Sequence, residues 1–241
     1  MRTFGLIGYP LSHSFSPSYF TEKFKKECIA DTQYLPFELS QIEDFVPLIK
    51  GQVLSGLNVT IPYKEAIIPY LDRLDETVKA VGAVNTIQFE NGELVGYNTD
   101  VIGFRNSIEP YIKSHHKRAV ILGTGGAAKA VEFIMKQLGL PFLYVSRTKQ
   151  EGRITYDELD LKDGDIIINT TPLGMHPNID QCPAIPYNQI NESHLLYDLV
   201  YNPTETKFLA NGKAQGTSIK NGLDMLHLQA EAAWKIWNKA N

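Results

Sequence analysis

Cysteine is almost missing from this chain: 241 residues hold only Cys28 and Cys182, far apart and each without a second cysteine nearby. That scarcity excludes a disulfide framework and a cysteine metal site, and it suits a reducing compartment, so a cytoplasmic location is expected. An excess of one charge is lacking too. Lys and Arg number 23 against 27 Asp and Glu, a net charge of -4, with no block of like charges. Such a balance offers no field for nucleic acid and no patch for a membrane surface, which leaves small molecules as the expected partners. No apolar run approaches the length of a membrane span, and Met1-Arg2-Thr3-Phe4-Gly5-Leu6-Ile7 is too short in its apolar part to be expected as a signal peptide. The six histidines show no paired spacing and the carboxylates no ligand-like cluster, so no metal is expected. There is no internal repeat and no low-complexity segment.

What is present is the pattern of a soluble α/β protein, with 43% apolar residues, enough to fill a core of this size. Strand and helix signals alternate through the first hundred residues: Phe4 to Ile7, a helix after Ser16-Pro17, Tyr34 to Leu39, a helix near Ile42 to Ile49, and Leu54 to Ile61. Ala83 to Phe89 and Leu94 to Tyr97 then flank Asn91-Gly92, a pair suited to the positive φ angles of a tight hairpin. A helix over Val101 to Ile112 leads through polar Lys113-Ser114-His115-His116-Lys117 into a second series of strands at Ala119 to Leu122, Phe142 to Ser146, Asp165 to Asn169, Leu195 to Tyr201 and Thr217 to Ile219. The expected organisation is two domains. One covers residues 1–113, with a C-terminal helix of about 224–241 packing back on it, and has a mixed sheet. The other covers residues 114–223 and is a doubly wound, Rossmann-type sheet.

The turn after the Ala119 to Leu122 strand is Gly123-Thr124-Gly125-Gly126-Ala127-Ala128, followed by a helical pattern. In a dinucleotide-binding βα unit the first glycine makes the tight turn, the next lets the backbone approach the pyrophosphate, and a small third residue allows close helix packing. The anion then meets the helix N-terminus, where unpaired N–H groups and the dipole favour negative charge. At the end of the next strand an acid would bond the ribose hydroxyls of NAD, but the chain has Ser146-Arg147-Thr148 there. A guanidinium suits a phosphate through paired charge-assisted bonds, so NADP is expected over NAD, with an ordinary surface arginine as the alternative.

Four further segments carry chemistry, and for Lys64 the alternative is an ordinary exposed lysine. Ser14 and Ser16 stand two apart in the loop after the first strand; they can converge on a carboxylate or polyol, or Ser16 can cap the helix that Pro17 begins. Lys64 ends Asn58-Val59-Thr60-Ile61-Pro62-Tyr63-Lys64 and is expected in the first turn of a helix after Pro62. There the dipole would oppose its charge and depress its pKa, a useful property in a proton donor. Thr99 and Asp100 close Gly96-Tyr97-Asn98-Thr99-Asp100 and either can cap the next helix, while Asn85 on the partner strand can present an amide toward the same place. In the last helix Gln229 falls on the apolar stripe of Leu226, Ala233 and Trp237, and an inward glutamine needs a polar partner.

Taken together, the serine pair, Asn58 to Lys64, Gly82 to Thr86 (GAVNT), Gly96 to Asp100, and Gly123 to Val131 (GTGGAAKAV) resemble the shikimate dehydrogenases. So do Ser146 to Thr148, Ile168 to Met175 (INTTPLGM), Asp198 to Thr206 (DLVYNPTET) and Asn221 to Ala230 (NGLDMLHLQA), which extends the resemblance over nearly the whole chain. It implies a substrate domain, an NADP domain, and a cleft between them where 3-dehydroshikimate is reversibly reduced to shikimate. By the same resemblance Lys64 and Asp100 form the acid/base pair. Ser14 and Ser16 hold the substrate carboxylate, and Thr60, Asn85, Asp100, Tyr201 and Gln229 bond the ring hydroxyls. Gly123, Thr124, Gly125, Gly126 and Ala127 match the pyrophosphate loop, Ser146, Arg147 and Thr148 the adenosine phosphate site, and Leu199 and Gly222 the nicotinamide end. The resemblance leaves the protein a monomer or homodimer. Two departures stand out. Ser146 replaces the common asparagine, and only Lys149 to Gly152 separate the Ser-Arg-Thr segment from Arg153-Ile154, so the usual helix there is nearly absent. The competing expectations are a quinate/shikimate dehydrogenase that uses NAD, a methylenetetrahydrofolate dehydrogenase, and a protein that senses NADPH without turnover.

Overall fold

The computed structural model describes residues 1–12 and 14–239. Two compact units are found, one formed by Met1–Thr99 with the chain from Gln229 onward, the other by Asp100–Leu228.

The first unit is built on β1 (Arg2–Gly8), α1 (Phe15–Lys26), β2 (Thr32–Glu38), α2 (Phe45–Gly51), β3 (Gly56–Val59), β4 (Arg73–Leu74), α3 (Glu76–Val81), β5 (Thr86–Glu90) and β6 (Glu93–Tyr97). Its mixed six-stranded sheet has the order β2-β1-β3-β5-β6-β4. β1 pairs parallel with both β2 and β3, and the antiparallel part begins where β5 joins β3. A strand between two parallel neighbours is covered on both faces, which is why β1 reads as an apolar run rather than an alternation. Its side chains still obey the two-residue period. Ile7 enters one apolar cluster with Leu57, Val59 and Ile87, while Phe4 and Leu6 enter another with Phe20, Tyr34 and Trp237. In the second cluster Phe20 stacks on Tyr34 with centroids 4.6 Å apart, and the Trp237 indole N–H donates to the Ile87 carbonyl at 3.0 Å. Each such buried ring contributes roughly 1.5–3 kcal/mol. The β5–β6 turn uses Asn91 at φ 51° and Gly92 at φ 86°, as the Asn-Gly pair predicts.

The second unit contains α4 (Asp100–Ile108), β7 (Arg118–Leu122), α5 (Gly126–Gln137), β8 (Phe142–Ser146), β9 (Arg153–Thr155), β10 (Asp165–Asn169), β11 (Leu195–Asp198), α6 (Lys207–Ala214), β12 (Ser218–Lys220) and the start of α7 (Leu223–Trp237). The sheet order β12-β11-β10-β7-β8-β9 is parallel throughout, with the first strand at the centre. That is the doubly wound dinucleotide-binding order, whose ligand crevice lies at the carboxyl ends of the strands.

Several elements differ from expectation. The two-residue β4 and three-residue β9 carry too little pattern to be foreseen, and β8 is joined to β9 by six residues with no helix between parallel strands. Residues 100–113, expected with the first domain, group with the second. Packing accounts for this: Phe104 of α4 meets Tyr197 edge-on with centroids 5.3 Å apart, and the Ser107 hydroxyl shares a 2.6 Å bond with the Tyr197 phenol. The expected C-terminal helix to residue 241 is α7, divided between the units at Gln229; Ala240 and Asn241 lie outside the described residues.

Candidate active site

In the first unit the candidate residues gather where β1 and β3 end. Ser14 is the residue before α1, which starts at Phe15, two positions earlier than Pro17 predicts, and its hydroxyl makes no capping bond. Ser16 therefore lies inside the helix and is not its cap. Burial holds the pKa of the Tyr34 phenol well above the ordinary value, and Ser16 pulls it down. The same phenol donates to Asn58 Oδ1 at 2.7 Å, and Asn58 Nδ2 donates to the Asn85 carbonyl and the Thr86 hydroxyl, both at 3.2 Å. Thr86 and Asn85 continue the chain of bonds. Asn85 Oδ1 accepts the Thr99 N–H at 2.7 Å, Asn85 Nδ2 donates to Thr99 Oγ1 at 3.0 Å, and Thr99 Oγ1 donates to Gln229 Oε1 at 3.5 Å. Thr99 is thus one polar partner of the inward Gln229, and Asn85 spends one amide hydrogen and its oxygen fixing the turn before α4. The sequence marks Thr99 only as a helix cap and gives no sign of Tyr34 or Asn58 as members of this chain. Their partners come from distant strands, so no local spacing signals them.

Thr60 and Lys64 follow β3. The Thr60 N–H donates to the Ile7 carbonyl at 2.9 Å, which aligns the segment with the end of β1. Lys64 stands half-buried in a run of turns, not in a helix. Its carbonyl accepts the Val84 N–H at 2.7 Å, while the Ile68 N–H turns to Glu65 instead. A tertiary bond thereby replaces the helical one, and the dipole effect expected on its ammonium has no helix to come from. Asp100, at the first position of α4, is 8% exposed.

In the second unit Gly123 adopts φ 102°, a conformation that side chains rarely tolerate, and a Cβ there would stand 2.8 Å from both Thr170 Oγ1 and Thr171 Cγ2. α5 then opens with Gly125 as its cap, no side chain bonded to its first N–H groups and no acid in its first turn. A Cβ on Gly125 would meet nothing within 4 Å. An uncapped helix N-terminus behind open glycine backbone fits a pyrophosphate. At the end of β8, the Ser146 hydroxyl donates to the Thr148 carbonyl at 2.5 Å, and Arg147 is exposed beside Tyr156, whose phenol it pulls down against burial. Glu158 pairs with Lys149 and closes a capping box with Thr155, anchoring the short link after Arg147.

Leu199 and Tyr201 leave the end of β11. The Leu199 N–H donates to the Asn169 carbonyl at 3.0 Å, and the Gly222 N–H donates to the Val200 carbonyl at 3.2 Å. Beneath them Asp198 is fully buried and accepts from Asn169 Nδ2, the Val200 N–H and the Thr206 hydroxyl. Burial pushes its pKa up to about 6, and the three donors hold it from rising further. No cluster of three or more metal-binding side chains occurs among the described residues, and no described helix is long and apolar enough to cross a membrane.

The parallel sheet with its glycine turn defines a dinucleotide-binding oxidoreductase architecture, joined to a second α/β unit rich in buried polar groups. A protein-family model for the shikimate dehydrogenase substrate-binding domain matches residues 6–87. A relative from Methanococcus maripaludis named shikimate dehydrogenase (NADP(+)) is 40% identical, the match covering 98% of this chain and 91% of the relative. Among solved structures, a shikimate dehydrogenase in complex with NADP+ is 37% identical with a TM-score of 0.88, covering 100% of this chain and 91% of the other. Another, from Thermus thermophilus in complex with NADP(H) and shikimate, is 29% identical with a TM-score of 0.86, covering 99% and 94%. The chain belongs to the shikimate dehydrogenase family.

Proposed function

We propose that this protein catalyses the reversible reduction of 3-dehydroshikimate to shikimate with NADPH, a step toward the aromatic amino acids. The observation that carries the reading is the continuous polar chain from Tyr34 through Asn58, Asn85 and Thr99 to Gln229, in a unit whose other interior side chains are mainly apolar. Such a chain fixes the orientation of its hydroxyls and amides, and a polyhydroxylated ring is a ligand that suits a preorganised set of donors and acceptors. Ser14 and Ser16 hold the ring carboxylate; the Ser14 hydroxyl makes no capping bond that would compete. Thr60, Asn85, Asp100, Tyr201 and Gln229 bond the ring hydroxyls.

Bound NADPH supplies the hydride. Gly123, Thr124, Gly125, Gly126 and Ala127 would hold its pyrophosphate, Ser146, Arg147 and Thr148 the adenosine phosphate, and Leu199 and Gly222 the nicotinamide end. Lys64 is the proton donor: its ammonium gives a proton to the carbonyl oxygen as negative charge develops there, and its neutral amine takes the proton back in the oxidation direction. By the family pattern Asp100 is the other member of the acid/base pair. The two separated cysteines suit an enzyme of the reducing cytoplasm.

Initial rates with shikimate and quinate, each with NADP+ and NAD+, on wild type and Lys64→Ala test the reading. Turnover mainly of shikimate with NADP+, reduced by several orders of magnitude in the variant while ligand binding persists, is expected. Preference for quinate with NAD+ assigns the chain to that other dehydrogenase type, and NADPH binding without turnover of either substrate makes it a sensor.

A further inference from the structure

Asp198 is the last residue of β11, with β10 on one side and β12 on the other, and its exposure is 0%. No Lys, Arg or His forms an ion pair with it among the described residues. A carboxylate in such a place is expensive, and an apolar residue would fill the space at lower cost unless the acceptors are needed. Three donors converge on it. Asn169 Nδ2 reaches Oδ1 at 2.9 Å, the Val200 N–H reaches Oδ1 at 3.0 Å, and the Thr206 hydroxyl reaches Oδ2 at 2.5 Å.

Each donor belongs to a different piece of chain. Asn169 ends β10, and its own Oδ1 accepts the Thr171 N–H at 3.0 Å and hydroxyl at 2.6 Å, so it also fixes the turn behind Gly123. Thr206 caps α6 and accepts the Leu209 N–H at 3.3 Å. Val200 lies in the loop itself. One carboxylate therefore grips both ends of the segment 199–205, which is also held by the Gly222 N–H on the Val200 carbonyl at 3.2 Å, the His176 N–H on the Asn202 carbonyl at 3.2 Å and Asn221 Nδ2 on the Thr204 carbonyl at 2.9 Å.

We propose that Asp198 is a positioning residue for the reaction, closing the 199–205 loop onto the strand ends and so fixing where Leu199 and Tyr201 stand. The role rests on the reading that these two side chains meet the nicotinamide and the substrate. An amide cannot replace the carboxylate fully. The side chain introduced by Asp198→Asn would keep one oxygen for Val200 and Asn169 but would turn an N–H₂ toward Thr206, whose oxygen already accepts from Leu209 and whose hydroxyl hydrogen would lose its acceptor.

The test compares wild type, Asp198→Asn, Thr206→Ser and Thr206→Val in three measurements: amide hydrogen exchange of the ligand-free protein, calorimetric binding of adenosine 2′,5′-bisphosphate, and steady-state kinetics with shikimate and NADP+. Asp198→Asn is expected to exchange at least tenfold faster over 199–205, to bind the bisphosphate as wild type does, and to lose at least tenfold in kcat with a raised KM for shikimate. Thr206→Ser, which keeps the hydroxyl, is expected to behave as wild type; Thr206→Val gives the same readouts as Asp198→Asn should that variant not fold. Unchanged exchange over 199–205, acceleration spread evenly over the second unit, or an unchanged kcat overturns the role. Wild type inactive on shikimate would instead refute the proposed function and the catalytic part of the role, while the exchange data would still decide whether the carboxylate clamps the loop.

Discussion

Replacing Gly222 by alanine should separate stability from chemistry in a measurable way. A Cβ at residue 222 would lie 2.2 Å from the Leu199 carbonyl oxygen, 2.7 Å from its carbon and 3.0 Å from its Cα. All three atoms are backbone, so no side-chain rotation relieves the contact. Ordinary non-bonded separation requires the two segments to move apart by roughly 1 Å. That movement stretches the Gly222 N–H bond to Val200, now 3.2 Å, beyond hydrogen-bonding distance. The expected stability loss is about 1–3 kcal/mol, the usual range for overpacking with a broken bond. The effect on turnover should be larger, because a 1 Å displacement of reacting groups costs on the order of 10²-fold in rate. Shikimate oxidation assayed at saturating NADP+, alongside urea unfolding, checks both numbers. A Gly222→Ala enzyme with wild-type kcat would refute the placement of Leu199 and Gly222 beside the nicotinamide. A loss of kcat explained wholly by unfolded protein would do the same.

Arg147→Asp should raise the KM for NADPH far more than that for NADH, since it places a negative charge where a phosphate is held; equal effects on both remove Arg147 from the site. Gly56→Ala would put a Cβ 2.3 Å from the Trp237 indole nitrogen, pushing α7 off the sheet and costing about 1–3 kcal/mol. Because α7 also carries Gln229, its KM for shikimate should rise as well, and a variant with wild-type unfolding midpoint and KM counts against this packing. Asp198 makes stability depend on pH. With its carboxyl raised to about 6 in the folded protein from an ordinary 3.8, the folded state holds a proton that the unfolded chain has released between those values. Stability from this group is therefore present at low pH and lost as pH rises through 6, by up to about 3 kcal/mol in all. Asp198→Asn lacks this slope, so its urea midpoint should improve relative to wild type between pH 4.5 and 7.5, and parallel curves would exclude the raised pKa.

The parts of the fold legible in the sequence are those where local pattern and tertiary demand agree. Asn91-Gly92 specifies its hairpin because the turn needs positive φ at both residues, and the Gly123 turn is legible because strand, glycines and helix follow one another without interruption. The helix expected after Pro62 failed where the two disagree. Local propensity has no knowledge that Val84 will bond the Lys64 carbonyl. The three residues of β9 carry no period, and the apolar face of α4 identifies a core without saying which. Of the candidate site, single polar residues at odd positions could be noticed, such as Gln229 on an apolar stripe. The chain of bonds that joins it through Thr99 to Asn85 spans most of the sequence and exists only once the strands pair.

The six-residue link between β8 and β9 changes how that edge of the sheet is reached during folding. Parallel strands usually pair across a long crossover, yet Tyr144 and Arg153 are partners only nine positions apart. Closing six residues rather than a crossover of about twenty lowers the entropic cost by roughly 1 kcal/mol. The edge strand thus acquires the low contact order normally found in hairpins, and it can zip onto β8 early, before the distant pairing of β7 with β10 is complete.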